Sequence, residues 1–98
     1  MQETPHDKVL CDRYEKFAET LDRMYPEVQR STSVTEEWAR LHAPELAAVE
    51  DKERKEVTQL MEEKADLKVL DKAVVAWCKT QLKIYGRYDA WRKEDAAR

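Results

Sequence analysis

The chain has 98 residues, 40% of them charged and 42% hydrophobic, and a net charge of −3; its mean hydropathy is −0.88. That length holds one domain at most, and the apolar content separates it from a disordered tail. One glycine, three prolines and two cysteines exclude a turn-rich β fold, a glycine-rich phosphate loop and a disulfide scaffold.

Thr4-Pro5-His6-Asp7 reads as a helix start, with Thr4 as the cap, Pro5 at the first helical position and Asp7 at the positive end of the dipole. The stripe Leu10, Tyr14, Phe17, Leu21, Met24 follows at alternating steps of four and three. Pro26 cannot continue the backbone ladder and biases Tyr25 away from helical geometry, so the first helix is predicted over 5–25. Ser33 with Glu36 forms a capping box, and Pro44 interrupts, which predicts a short helix over 33–42 with Trp38 and Leu41 inward. A further helix restarts at Pro44, with Leu46 and Val49 inward. The run Glu50-Asp51-Lys52-Glu53-Arg54-Lys55-Glu56 has no apolar residue. It predicts a helix wet on all sides, held by pairs such as Asp51–Lys55.

No glycine or proline separates residues 45 and 85. Residues 44–95 therefore form either one long helix or a helix broken once at Glu63-Lys64-Ala65-Asp66, where Asp66 would cap the final segment. The final segment carries the most regular stripe of the chain: Leu67, Leu70, Val74, Trp77, Gln81, Ile84, Tyr88, Trp91. A second row, Val75, Cys78, Leu82 and Tyr85, widens the apolar face beyond a two-helix seam. Gly86 lies inside this pattern; it costs about 1 kcal/mol against alanine and is not expected to end the helix. The expected fold is all-α, a small elongated bundle of three or four helices with a long C-terminal helix. Oligomerisation, as a homodimer or higher coiled-coil-like assembly, is open as a further cover for the stripe.

No charged-then-apolar leader opens the sequence, and no apolar run approaches the ~20 residues of a membrane span. A soluble cytoplasmic protein is expected, with Cys11 and Cys78 reduced rather than bridged. Both cysteines read as small buried hydrophobes rather than nucleophiles. His6 and His42 have no metal-ligand spacing around them and read as surface or capping imidazoles. Glu36-Glu37 and Glu62-Glu63 read as solvated charge. The expectation is a non-enzyme without catalytic residues, metal or cofactor.

Charge is uneven. Residues 1–49 hold six Lys/Arg against ten Asp/Glu, and residues 50–98 hold twelve against eleven. Lys68, Lys72, Lys79, Lys83 and Arg87 fall along one side of the last helix. Lys72, Lys79, Lys83 and Arg87 are candidate contacts for phosphates or an acidic protein surface. A first helix of about 20 residues spans only about 30 Å, so Ile84, Tyr88 and Trp91 are expected to outrun its cover. With Tyr85 and Arg87 they form the candidate protein-binding site.

Glu36-Glu37-Trp38-Ala39-Arg40-Leu41-His42-Ala43-Pro44-Glu45-Leu46 resembles the W-x-R-L-x-P-E-L segment of one class of bacteriophage small terminase subunits. Leu70-Asp71-Lys72-Ala73-Val74-Val75-Ala76-Trp77-Cys78 is similar to the helix that follows in that class. The spacing between the two segments is longer than in that class, and its basic N-terminal arm is missing. The resemblance implies a ring-forming, DNA-recognising packaging factor without catalysis of its own.

From the residues, the leading expectation is a helical protein-binding module, an adaptor or inhibitor of phage or mobile-element type that occupies a surface of a larger host protein. The alternative is a nucleic-acid-binding, small-terminase-like oligomer; a third is a structural coiled-coil connector.

Overall fold

The computed structural model describes residues 4–28 and 32–97, the side chains of residues 32, 33 and 97 apart. It is an elongated all-α bundle of four helices: α1 (Pro5–Met24), α2 (Thr32–His42), α3 (Pro44–Glu62) and α4 (Leu67–Ala97). α4 is the spine. Its 31 residues correspond to about 46 Å of helix, nearly the whole 49 Å long axis of the molecule. No helix among the described residues is long and apolar enough to cross a membrane.

Local chemistry sets each boundary. Thr4 Oγ1 accepts from Asp7 N at 3.1 Å and donates to Asp7 Oδ2 at 2.8 Å, closing the start of α1. Tyr25 N donates to Leu21 O at 2.7 Å, and α1 stops there because Pro26 has no N–H to continue it. α2 already includes residues 32 and 33, so Ser33 lies inside the helix instead of ahead of it. The capping contact expected of its side chain lies outside the described residues. Ala43 is the hinge between α2 and α3, buried completely, with Ala43 N on Ala39 O and Ala47 N on Ala43 O keeping the ladder at 2.8 and 3.0 Å.

The chain breaks once between α3 and α4. Lys64 adopts φ 52°, Ala65 N donates to Leu60 O at 3.0 Å, and Lys64 N donates to Met61 O at 3.3 Å. These two bonds and the left-handed residue make a Schellman termination, with lysine where glycine is usual. Asp66 Oδ1 then accepts from Lys68 N at 2.9 Å and caps α4. His6 Nε2 donates to Ala65 O at 2.7 Å, fastening the start of α1 to this turn.

α3 runs antiparallel to α4 through the tight turn, whereas α1 runs parallel to it, with His6 near Ala65, Arg13 on Asp71 and Arg92 on Glu27 O. The core forms three linked clusters along the spine. Val57, Leu70 and Val74 join α3 to α4 beside Val9 and Leu10. Phe17 and Leu21 meet Tyr85. Trp38, Ala39 and Ala43 meet Ile84.

Several inward assignments fail. Leu41, Val49, Leu67, Tyr14 and Met24 are exposed, because each sits at the margin of its stripe, turned past the neighbouring helix. Cys11 is exposed too, while Cys78 is half-buried, and no disulfide joins them. The charged run of α3 is not wet on all sides: Glu50 is 6% exposed, because α2 folds back over the first half of α3.

Gly86 does more than tolerate the helix. A Cβ at this position would lie 2.6 Å from Tyr25 Oη and 3.3 Å from Cζ, so the missing side chain makes room for the Tyr25 ring against α4. Gly86→Ala is expected to lower the melting temperature despite its better helix propensity. The loss should shrink in a Tyr25→Phe background, which removes the closest atom. Equal losses in both backgrounds, read by thermal circular dichroism, would contradict this packing role.

Candidate functional site

The expected protein-binding residues do not all reach the surface. Ile84 and Tyr85 are each 5% exposed and belong to the core. The length argument fails there: α1 itself reaches Tyr85 through Phe17 and Leu21, and α2 with the first turn of α3 covers Ile84 on another side of α4. Trp38, Ala39 and Ala43, with Leu46 and Ala47, cover the part of α4 that α1 leaves open. Arg87 remains exposed but pairs with Glu45 at 2.8 Å across to α3, and that guanidinium holds the Glu45 carboxyl below its ordinary range.

What the fold assembles at this end is a group of four rings. Trp38 lies 5.4 Å from His42 and 5.6 Å from Tyr88 between centroids. Trp91 closes the group at 6.0 Å from Trp38, 5.2 Å from His42 and 6.1 Å from Tyr88. The edge and offset geometries are those that aromatic quadrupoles favour. Trp38 is buried, Tyr88 is half-buried, and Trp91 stays 37% exposed. Trp38 Nε1 has no hydrogen-bond partner among the described residues.

Two aliphatic side chains extend this rim. Val34 and Leu41 stand four residues before and three after Trp38, so they flank it on the helix surface. They are 49% and 74% exposed. Neither was among the expected site residues, and Leu41 was expected inward. The signal was present in α2 itself: apolar residues at 34, 38, 39 and 41 cover more of an 11-residue helix than one contact line can bury.

On the other flank of α2, a groove of about 290 Å³ has Ala39, Ala47 and Ala48 along its apolar side and Glu36, Glu50 and Arg54 at one end. Arg54 Nη1 donates to Glu50 Oε1 at 2.7 Å and to Glu36 Oε1 at 3.3 Å, and Nη2 pairs with Asp51. Asp51 also accepts Lys55 Nζ at 2.9 Å, the pair read from the sequence. Burial pushes the Glu50 carboxyl above its ordinary range, against the pull of Arg54 and with Glu36 adding to the rise. This network ties α2 to α3 and forms a charged wall at that end of the groove. Among the described residues no group of three His, Cys, Asp or Glu side chains could hold a metal ion.

The basic row is real as geometry. Lys68, Lys72, Lys79 and Lys83 are all exposed on the outward side of α4. Lys72 shares a groove with Glu53 and Glu56 of α3, and Lys79 shares one with Arg13 and Lys16 of α1. The terminase-like segment around Trp38 forms α2, the hinge at Ala43 and the first turn of α3. Comparison with family models, with curated proteins and with solved structures gives no match.

Proposed function

We propose that this chain is a protein-binding module that works by occupying a surface of a larger protein, as an adaptor or inhibitor does, and not by chemistry. Its contact surface is the aromatic end formed by Val34, Leu41, His42, Tyr88 and Trp91. The observation that carries the reading is Leu41, 74% exposed next in sequence to His42, whose ring lies 5.2 Å from the 37% exposed Trp91. Burying a leucine side chain in a partner is worth about 1.5–3 kcal/mol. A tryptophan held in place by its neighbours is the kind of rigid anchor on which binding energy concentrates. α2 is only 11 residues long, about 16 Å, so this rim inserts into a partner's pocket more readily than it forms a broad flat contact.

The experiment is affinity capture followed by titration of the captured protein. Leu41→Asp and Trp91→Ala are expected to keep the wild-type circular dichroism spectrum and to weaken that partner's binding by tenfold or more. Unchanged affinity in both folded variants would remove this surface from the account.

A further inference from the structure

A second surface, separate from the aromatic end, lies between α1 and α4. From Leu67 to Tyr88 the sole acidic residue of α4 is Asp71. It is spent on Arg13, with Arg13 Nε donating to Asp71 Oδ1 at 2.7 Å and Nη2 to Oδ2 at 2.9 Å. The outward side of α4 is thus cationic over about five turns. Lys68 with Lys72, and Lys79 with Lys83, are like charges four residues apart, a spacing that opposes helix formation. α3 shows the ordinary solution for a wet face, with Glu50–Arg54 and Asp51–Lys55 in complementary i,i+4 pairs. The cationic row of α4 is not built that way.

Beside it, α1 and α4 enclose a groove of about 230 Å³. Its apolar lining is Phe17, Val75, Cys78 and Leu82, and its cationic rim is Lys16 and Lys79, with Arg13 held by Asp71. Lys83 follows one turn beyond Lys79. We propose that this groove docks an acidic amphipathic helix of a partner protein, whose apolar side chains enter between Phe17 and Leu82 while its carboxylates meet Lys16, Lys79 and Lys83. Helix-in-groove binding needs this pairing of an apolar floor with a charged rim. Charge complementarity selects an acidic segment. A nucleic-acid strand fits less well, because it offers no aliphatic side chain for the floor.

The test uses the full chain, isotopically labelled, and a ~20-residue helical peptide of leucine and glutamate, long enough to hold a helix. Amide shifts are expected to change at Phe17, Val75, Lys79 and Leu82. Affinity should fall at least tenfold on raising salt from about 50 to about 300 mM, as screening demands. Lys79→Glu/Lys83→Glu is expected to abolish the shifts while leaving helicity unchanged; Lys79→Gln/Lys83→Gln serves if charge reversal unfolds the chain. Leu41→Asp should leave peptide binding intact, which keeps this result separate from that for the aromatic end. The proposal is overturned by an absence of binding at low salt or by shifts centred on Leu41 and Trp91. It is also overturned by tighter binding of a single-stranded oligonucleotide on the same residues. A salt-sensitive dimer in sedimentation, abolished by the lysine variants, would overturn it in favour of a second copy.

Discussion

Leu70→Ala is expected to destabilise the protein by about 3–5 kcal/mol, the range for a leucine truncated in a core that collapses only partly around the cavity. Leu70 is completely buried where Val57 and Val74 meet, so α3 and α4 both lose contacts there. For a domain of this size each kcal/mol moves the melting temperature by about 4–8 °C, and the total stability of such a domain is about 5–15 kcal/mol. A fall of roughly 12 °C or more is therefore expected by thermal circular dichroism. Leu41→Ala is the matched control: the same atoms removed from an exposed site should cost less than about 0.5 kcal/mol. Equal losses for the two would mean that the division between core and contact surface is misplaced.

The second large effect concerns the charge network around Arg54. Arg54→Met is expected to cost about 1.5–3 kcal/mol at neutral pH, less than a fully buried pair because the guanidinium is 34% exposed. The loss has a cause beyond the missing contacts, since it leaves Glu50 buried opposite Glu36 without its main counter-charge. The effect depends on pH in a definite direction. The Glu50 carboxyl titrates above its ordinary range in the folded chain, so the native state holds this proton more tightly than the unfolded state. Its ionisation subtracts stability as pH rises from the unfolded value through the folded one. The cost of Arg54→Met should accordingly shrink on acidification as Glu50 protonates, and Glu50→Gln should be at least as stable as the wild type at neutral pH. Urea denaturation at pH 7 and pH 4 measures both; a penalty that grows on acidification would contradict the assignment.

How much of this was legible in the sequence depended on whether the cause was local. The start of α1 rests on Thr4, Pro5 and Asp7, and its end on Pro26, all readable from neighbouring residues. Pro44 likewise announces the hinge between α2 and α3. The turn at residues 63–66 was only one of two readings, because its left-handed residue is Lys64, which carries no glycine signature. Burial depended on how helices cross, which periodicity does not encode. The stripe of α4 showed that Ile84 and Tyr85 needed a cover, yet which helix supplies it, α2 for Ile84 and α1 for Tyr85, is a tertiary fact. The same crossing buries Glu50 in a run that reads as wet, and turns Leu41 outward from a helix that reads as core-facing. Trp91 was legible as a partly open anchor because it lies near the end of the longest stripe. For α2 the sequence showed a surplus of apolar residues, but that Val34 and Leu41 are the ones left exposed depends on which flank of α2 meets α4. The lysine row was legible from spacing alone, whereas its apolar neighbour, the groove between α1 and α4, follows from the parallel packing of α1.

On the proposed function, the aromatic end meets another protein. The most direct measurement places a photoreactive amino acid at Leu41, exposed on α2, and a control at Lys52, exposed on the wet side of α3, with irradiation in the cells that make the protein. A discrete adduct to a different protein from position 41, lost with Trp91→Ala and not seen from position 52, is the predicted result. Adducts equal at the two positions, adducts only between copies of this chain, or no adduct at position 41 would contradict it.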